Sequence, residues 1–369
     1  NSAVARHVAF SAAPFHLRRR RLRNLKPEPS AISVALASFN GERHLESQLD
    51  SLARQSHLPL ELVIADDRST DRTAAIVAEF ARTAPFSVHF TVNPERLGYT
   101  RNFLAAARSC RGSYIAFCDQ DDIWAPEKLA RVAAALARSP RQLDLILHTC
   151  RLLRGEEVDP EIFPAYLQRP GTFAPLELDP LCIVPGHSIV AHRHLVELAN
   201  RFLNLLPEGV FVGRGHDDLT YFLGTVAGTT EVLDAPLVLW RQHSGNTCGV
   251  PRSAGGTRPE VQPHLQFLRS HAAKWSALAQ ALGELANNGD ATYSSGLASA
   301  SGFFDSRARF FTMRGHVSDP AVAYGTRIKA LCGAHLSSRR VRGLGRREGL
   351  RNLLRDLATL LLGPQRLER

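Results

Sequence analysis

Five short apolar segments alternate with helical patterns between residues 32 and 148, and this alternation constrains the fold more than any other sequence feature. The segments are residues 32–37, 60–65, 87–92, 113–118 and 143–148. In the first connection Leu45, Leu49 and Leu52 recur at helical spacing, and the next two connections carry similar apolar patterns. The alternation predicts βαβ units, with a mostly parallel central sheet flanked by helices.

The pattern changes after this region. Residues 151–180 are rich in Pro and Glu and predict a loop-containing excursion. Helices are predicted over 194–206 and 217–223, extended chain over 231–240, and a further helix from 266 to about 286. We therefore predict a flexible basic arm over 1–30, an α/β catalytic domain over 31–249 and a mainly helical C-terminal region over 250–369.

The composition fits a globular protein but leaves several partners open. The chain has 369 residues, of which 44% are hydrophobic, and a formal net charge of +10. Much of the basic excess lies in clusters near the two ends, and the chain between them has mixed charge. This distribution argues against a nucleic-acid groove through the fold, so we expect no nucleic-acid partner.

Cysteine usage and hydropathy bear on the cellular compartment in which the protein resides. The 6 cysteines are scattered without a CxxC pair, which indicates neither a zinc ribbon nor a disulfide framework. A reducing, cytoplasmic environment is the simpler interpretation. No apolar run reaches the roughly 18 residues of a membrane-spanning helix.

Polar residues follow three of the predicted strands directly. They are Ser38-Phe39-Asn40-Gly41 after the first, Asp66-Asp67-Arg68-Ser69-Thr70-Asp71 after the second, and Asp119-Gln120-Asp121-Asp122 after the fourth. Ligands bind outside the carboxyl ends of strands in open α/β sheets, so these groups are the first candidates for a site. The carboxylates can hold a divalent cation, but acids at such positions also solvate turns or cap helices.

These motifs resemble family 2 glycosyltransferases, which have the GT-A fold. The resemblance also rests on Gly98-x-x-Arg101-Asn102 and on Trp124 after the acidic turn. His216-Asp217-Asp218 and Trp240-Arg241-Gln242-His243-x-x-Asn246 resemble later motifs of bacterial, rhamnosyltransferase-like members. The resemblance covers residues 31–249, and an aromatic residue more usually follows the His-Asp pair.

The resemblance implies roles for individual residues. Asp217 is the implied general base. The residues implied in donor binding are Ser38, Asn40, Asp66, Asp67, Arg101, Asp119 and Arg241, with Asp66 near the uracil or thymine imide and Asp67 near the base or ribose. Those implied in binding Mg²⁺ or Mn²⁺ are Asp121, Asp119 and His243, with Asp121 the firmer ligand. Those implied near the acceptor or diphosphate are His216, Asp218 and Gln242.

Some of these roles have alternatives. Asp218 rather than Asp217 can be the base, Arg101 can be a surface arginine of the crossover helix, and His243 can be an ordinary polar residue.

The expected function is inverting transfer of a sugar, with rhamnose as one candidate, from a dTDP or UDP donor to a saccharide or lipid-linked acceptor. The expected context is synthesis of a bacterial cell-surface polysaccharide. A nucleotidyltransferase of related fold is one alternative, although a Gly-rich, Lys-bearing loop after the first strand is missing. A non-catalytic nucleotide-binding or membrane scaffold is the other.

The C-terminal segment bears on whether the protein associates with a membrane. Leu350, Leu353, Leu354, Leu357 and Leu361 form one apolar stripe flanked by arginines. Such a helix can lie on an anionic membrane, here the inner face of the plasma membrane, or pack against the catalytic domain.

Overall fold

The computed structural model describes residues 30–167, 169–207, 210, 215–246, 264–288, 291–338, 352, 354–357, 359 and 360. The predicted basic arm lies outside this range, apart from residue 30. The chain divides into two compact units. The first comprises Asn1–Leu203 and Gly213–Pro251, and the second comprises Asn204–Val212 and Arg252–Arg369. The predicted domain limits of 31–249 and 250–369 stay predictions, and the placing of 204–212 in the second unit was not foreseen.

The first unit begins with four parallel strands joined by helices. The strands are β1 (Ile32–Ser38), β2 (Glu61–Asp66), β3 (Ser87–Val92) and β4 (Tyr114–Cys118). The helices are α1 (Leu45–Ala53), α2 (Thr73–Thr83) and α3 (Tyr99–Ser109). In β1, β2 and β4 nearly every residue is buried, because helices cover both faces of a parallel sheet.

The remaining strands extend this sheet through both parallel and antiparallel pairings. They are β5 (Ile123–Trp124), β6 (Leu145–Arg154), β7 (Glu157–Phe163), β8 (Gly171–Phe173), β9 (Ile189–His192) and β10 (Thr230–Gln242). The helices of this half are α4 (Lys128–Arg138), α5 (Arg193–Leu205) and α6 (His216–Ala227). The strand order is β3-β2-β1-β4-β9-β6-β10-β5, with β7 on β6 and β8 on β10. The α/β prediction is therefore confirmed.

The interval 151–180 contains turns and loops, as predicted, but also strands that were not predicted. The strand β6 continues to Arg154 with Leu152 and Leu153 buried, and β7 then pairs antiparallel with it. Pro160 lies within β7, which pairs only with β6 among the described residues, and an edge strand tolerates a proline. The Pro and Glu content did not reveal this edge strand within the interval.

The second unit is helical over its described residues. It contains α7 (His264–Asn288), α8 (Ala291–Ser318) and α9 (Tyr324–Ser338). Trp275 of α7 stacks on Phe304 of α8 with ring centroids 5.5 Å apart. No described helix combines the length and the apolar character needed to cross a membrane.

The described residues between 352 and 360 are helical and pack within the second unit. Asp356 accepts two hydrogen bonds from Arg314, at 2.7 and 2.9 Å, and both side chains are buried. Leu357 and Leu360 contact the cluster of Val317, Ala330 and Leu331. Leu357 of the predicted apolar stripe therefore packs against α8 and α9, whereas Leu354 of the same stripe is 58% exposed.

Candidate active site

The loops that follow β1 and β2 are joined by the residues predicted to bind a donor. The Asp66 carboxylate is buried and accepts hydrogen bonds from Ser38 Oγ at 2.8 Å and from Ser69 N and Oγ at 2.8 and 2.5 Å. Asn40 has a positive φ of 47° and accepts from Thr70 N at 2.9 Å. Ser38, Asn40 and Asp66 thus fix two loops against each other, and their contacts with a donor stay predictions.

Asp67 fixes the loop that follows β3. Its buried carboxylate accepts hydrogen bonds from Leu97 N at 2.7 Å, Gly98 N at 2.9 Å and Asn93 Nδ2 at 3.1 Å. Gly98 has a φ of 75°, which glycine adopts without strain, and it directly precedes α3. Arg101 lies exposed on α3. The structure therefore gives Asp67 a structural role beside the predicted one.

The acidic turn after β4 is held from two sides. Gln120 accepts a hydrogen bond from Phe39 N at 2.9 Å and donates to Phe39 O at 3.1 Å. Arg241 N donates to Asp122 Oδ1 at 2.9 Å, and Arg241 Nε donates to the Asp121 carbonyl oxygen at 2.8 Å. This arrangement follows from the antiparallel pairing of β5 with β10, which brings the end of β10 beside the turn.

Asp121 and His243 meet at the outer side of this turn. Asp121 Oδ2 lies 2.8 Å from His243 Nε2, and the two side chains are 15% and 19% exposed. The structure therefore brings together two of the three predicted metal ligands, 122 residues apart in sequence. The ring of His44, which the sequence analysis missed, lies 4.8 Å from the His243 ring.

A second cluster lies on the inner side of the turn and was also missed. His187 precedes β9 and is fully buried, with its Nδ1 2.8 Å from Asp122 Oδ2 and 3.5 Å from Asp119 Oδ2. Asp122 is fully buried, whereas the Asp119 side chain is 35% exposed. Ligand atoms of these three residues lie within 4.8 Å of one another, so they form a second candidate cation site.

Lys128 supports the inner cluster from α4. Its buried Nζ donates a hydrogen bond of 2.6 Å to the carbonyl oxygen of His187 and lies 3.3 Å from the centre of the Trp124 ring. Burial lowers its pKa to about 7, although the charges of Asp122 and Asp119 act in the opposite direction. Lys128 shares the buried stripe of α4 with Val132 and Ala135, a spacing that the sequence displays.

The electrostatics of the turn favour a cation on its outer side. Burial, followed by the charges of Asp122 and Asp119, raises the pKa of Asp121 to about 8. His187 keeps the pKa of Asp119 below its ordinary value despite burial. Because burial also opposes protonation of His187, the Asp122 charge is the main cause that raises the His187 pKa. The inner acids thus have a cationic partner, whereas Asp121 is the carboxyl that repulsion destabilises as an anion.

Among the described residues, ligand atoms of three residues lie within 4.8 Å of one another in the inner cluster alone, and the two candidate sites differ in access. Asp122 already contacts Arg241 N and His187, and neither Asp122 nor His187 is accessible. Asp119, Asp121 and His243 each retain exposed side-chain surface, through which a hydrated ion and a diphosphate can approach. Carboxylate oxygens and a neutral imidazole are suitable ligands for Mg²⁺ or Mn²⁺.

His216 is buried at the start of α6. Its ring stacks on Phe103 with centroids 3.8 Å apart and lies 4.7 Å from Phe117. Burial lowers its pKa to about 4, so the imidazole is neutral at physiological pH. A Cβ atom at Gly186 would lie only 2.7 Å from His216 Nε2, which indicates close packing. These contacts describe a packing residue, and the predicted contact of His216 with acceptor or diphosphate stays a prediction.

Asp217 and Asp218 have different surroundings. Asp217 is half-buried, and burial raises its pKa to about 6, with a further contribution from the charge of Asp119 and an opposing one from His187. Asp218 is buried and acts electrostatically on Tyr166 and His216. Asp217 therefore interacts electrostatically with the acidic turn.

Arg241 and Gln242 end β10 beside the acidic turn. Both are half-buried, and the Arg241 guanidinium also lies 3.5 Å from Ser47 Oγ. Their predicted contacts with diphosphate or acceptor stay predictions. The structure thus gathers Asp119, Asp121, Asp217, Arg241, Gln242 and His243 around one end of the sheet.

Comparison with known proteins supports the motif resemblance over part of the chain. The sequence model of glycosyl transferase family 2 matches residues 33–149. An uncharacterized protein of Mycobacterium tuberculosis strain H37Rv is 32% identical over 135 residues, which cover 36% of this chain and 39% of that protein. The dTDP-rhamnosyl transferase RfbG of Shigella flexneri is 34% identical over 98 residues, or 26% of this chain and 34% of that enzyme. The chain therefore spans well under half the length of these relatives.

Solved structures show the same fold. The crystal structure of S. aureus TarS 1–349 in complex with UDP-GlcNAc superposes with a TM-score of 0.53, covering 91% of this chain and 92% of that one at 17% identity. At this identity the likeness establishes the fold alone, which is GT-A-like with C-terminal helices. Residues 33–149, which contain the motifs at the strand ends, therefore match glycosyl transferase family 2.

Proposed function

We propose that this chain is a metal-dependent, inverting glycosyltransferase that acts on a dTDP or UDP sugar in bacterial cell-surface polysaccharide synthesis. The observation that carries the proposal is the pairing of an acidic turn, Asp119 to Asp122, with a separate half-buried carboxylate at Asp217. The names of RfbG and of the S. aureus complex favour a nucleotide diphosphate sugar as donor. Because RfbG is named a dTDP-rhamnosyl transferase, rhamnose is the candidate sugar.

In the proposed reaction Asp217 takes the proton of an acceptor hydroxyl. The hydroxyl oxygen forms a bond to the anomeric carbon while the bond from that carbon to the diphosphate oxygen breaks, and the diphosphate leaves with the electron pair. Attack from the face opposite the leaving group inverts the anomeric configuration. A divalent cation held by Asp121, Asp119 and His243 would neutralise charge on the diphosphate.

The two alternative functions have less support. In place of a Gly-rich, Lys-bearing phosphate loop, the loop after β1 contains Asn40, whose amide oxygen accepts from Thr70 N. A scaffold needs no carboxylate with a pKa near neutrality, whereas a general base benefits from the value of about 6 at Asp217. Contact of the C-terminal helix with a membrane at the cytoplasmic face stays a prediction, and the packing of Leu357 and Leu360 reduces its free apolar surface.

Mass-spectrometric screening of nucleotide sugars tests the proposed function. The chain is incubated with each dTDP and UDP sugar and with saccharide or lipid-linked acceptors, with Mg²⁺, with Mn²⁺ and with a chelator. We expect a glycosylated acceptor and free nucleoside diphosphate only with metal present. Turnover of a nucleoside triphosphate instead would favour the nucleotidyltransferase.

The rate of transfer should depend on pH through Asp217. Since a base acts in its deprotonated form, we expect kcat at saturating donor and metal to be constant above about pH 7 and to fall as pH decreases through about 6. Below that value the rate should fall about tenfold per pH unit. Initial rates from pH 4.5 to 8 measure this profile, and a kcat that stays constant down to pH 4.5 would exclude Asp217 as the titrating base.

Replacing Asp67 with alanine should affect both stability and nucleotide binding. Removing the acceptor of three hydrogen bonds, one of them buried and two partly buried, is expected to lower the free energy of unfolding by about 1–3 kcal/mol. The predicted base or ribose contact adds a loss of affinity for free nucleoside diphosphate, measured by isothermal titration. Asp71→Ala is the matched control, because Asp71 also accepts from loop amides, Thr73 N and Glu42 N. Equal nucleotide affinities of the two variants would remove Asp67 from the donor site.

A further inference from the structure

The helices α7 and α8 enclose a cavity of about 250 Å³ in the second unit. Its walls include Arg269 from α7, Phe311 and His316 from α8, and Asp319 just after α8. All of its lining residues belong to the second unit, and none takes part in the proposed reaction. The volume lies below the roughly 300–1,000 Å³ of pockets for drug-sized ligands, which favours a single ring with its substituents.

A glycine inside α8 keeps this cavity open. Gly315 is buried and lines the cavity, yet a Cβ atom added there would meet no heavy atom within 4 Å. Glycine within a helix is less stable than alanine, and here neither a positive φ nor a close neighbour requires it. The missing side chain therefore leaves room for something other than the protein itself.

The Phe311 ring lines the cavity and is part of a row of aromatic rings. The Phe311 ring lies 5.2 Å from the His271 ring, which in turn lies 3.9 Å from the ring of Phe267. Phe267 is 40% exposed. Such rings offer a flat, rigid apolar surface to a ligand that approaches from solvent.

Charged groups of both signs also line the cavity. Arg269 donates to Asp319 Oδ2 at 2.5 Å, and Asp319 Oδ1 accepts from Ala321 N at 2.9 Å. Because the carboxylate balances the guanidinium, the cavity is a poor site for a phosphate or another strong anion. The remaining guanidinium N–H groups, the carboxylate and the imidazole of His316 can donate to and accept from neighbouring hydroxyl groups.

We propose that this cavity binds one ring of a neutral saccharide, as a second point of attachment for the acceptor chain. A pyranose has C–H groups on its ring faces, which can pack on the Phe311 ring, and hydroxyl groups around its edge, which can bond to Arg269, Asp319 and His316. That the saccharide is the acceptor rests on the proposed function, whereas the saccharide site itself rests on the cavity alone. A second contact of this kind raises the affinity for long acceptors more than for short ones.

Saturation-transfer NMR on the full chain tests the site directly. The probes are glucose, N-acetylglucosamine, rhamnose and short oligomers of each, added with a saturating nucleoside diphosphate so that binding at the donor site is blocked. Gly315→Leu, which fills the cavity, should lower the saccharide signal to what the acceptor site near Asp217 gives, without lowering the melting temperature, since leucine favours a helix more than glycine does. Gly302→Leu is the matched control, because Gly302 is an exposed glycine of α8 whose Cβ position is also open.

Truncation of Phe311 gives an independent variant. Phe311→Ala should weaken saccharide binding by about tenfold, whereas Phe303→Ala, at a half-buried phenylalanine of the same helix, should leave it unchanged. Saccharide binding that is unchanged in both Gly315→Leu and Phe311→Ala, or no binding by a wild-type chain that still binds nucleoside diphosphate, overturns the proposal. Saccharide binding abolished by Gly315→Leu in a chain that transfers no sugar would leave this site standing and remove the proposed function.

Discussion

Replacing Asp217 with asparagine is expected to lower the rate of sugar transfer by about 100-fold or more, the contribution of a positioned general base. The substitution keeps the size of the side chain and removes its basicity. Asp217 Oδ1 accepts a hydrogen bond from Asp218 N at 3.0 Å, and the asparagine amide oxygen can retain this contact. Folding and donor affinity should therefore change little, and the loss should appear in kcat. Single-turnover rates and donor titrations on the same samples separate the two quantities.

Asp218→Asn is the matched control for this experiment. Asp218 is buried and interacts with Tyr166 and His216, so its substitution should affect stability more than transfer. A variant Asp217→Asn with near-normal transfer, together with an inactive Asp218→Asn that still binds donor, would show that Asp218 is the base. Normal transfer by both variants would exclude this segment from the chemistry.

Local pattern predicted the parallel half of the sheet well, and three of its four strands, β1, β2 and β4, are almost completely buried. The bounds of β1, β2 and β4 differ from the predicted ones by one residue at one or both ends, and β3 matches. The helix α6 was predicted from 217 to 223 but extends to Ala227, since Thr225 and Gly224 are buried and continue the packed face. Segments whose partners lie far away in sequence were predicted less well, as β7 illustrates.

The candidate site could be predicted wherever its residues directly follow a strand. Asp119, Asp121 and His243 belong to this class, and the pairing of β5 with β10 explains why His243 lies beside the acidic turn. His187 could not be found in this way, because its position depends on the antiparallel pairing of β9 with β4 and β6. Lys128 had a signal that was not used, namely a lysine within the apolar stripe of an amphipathic helix.

The inner cluster explains how three acids in four residues can share one turn. His187 lies against Asp122 and Asp119, and Lys128 fixes the carbonyl oxygen of His187. Removing His187 would leave the buried Asp122 carboxylate without a compensating charge and lower the free energy of unfolding by several kcal/mol. Asp121 lies outside this compensation and is therefore the carboxylate with most to gain from a bound cation.

Replacing Asp121 with asparagine should accordingly remove the metal-dependent part of donor affinity. Loss of an outer-shell partner of a metal site already costs about 10–100-fold in affinity, so loss of a direct ligand should cost at least about 100-fold. Isothermal titration of Mn²⁺ in the presence of nucleoside diphosphate, and of nucleoside diphosphate with and without Mn²⁺, measures both effects. Binding of nucleotide without metal should stay unchanged.

Two histidine variants decide which side of the turn holds the ion. The outer site predicts that His243→Ala weakens Mn²⁺ binding together with Asp121→Asn, because the two side chains lie 2.8 Å apart. The same site predicts that His187→Gln changes stability while much of the Mn²⁺ affinity remains, since His187 contacts Asp122 and Asp119 from the buried side. Mn²⁺ binding that disappears in a folded His187→Gln variant and persists in Asp121→Asn and His243→Ala would assign the ion to Asp119, Asp122 and His187 instead.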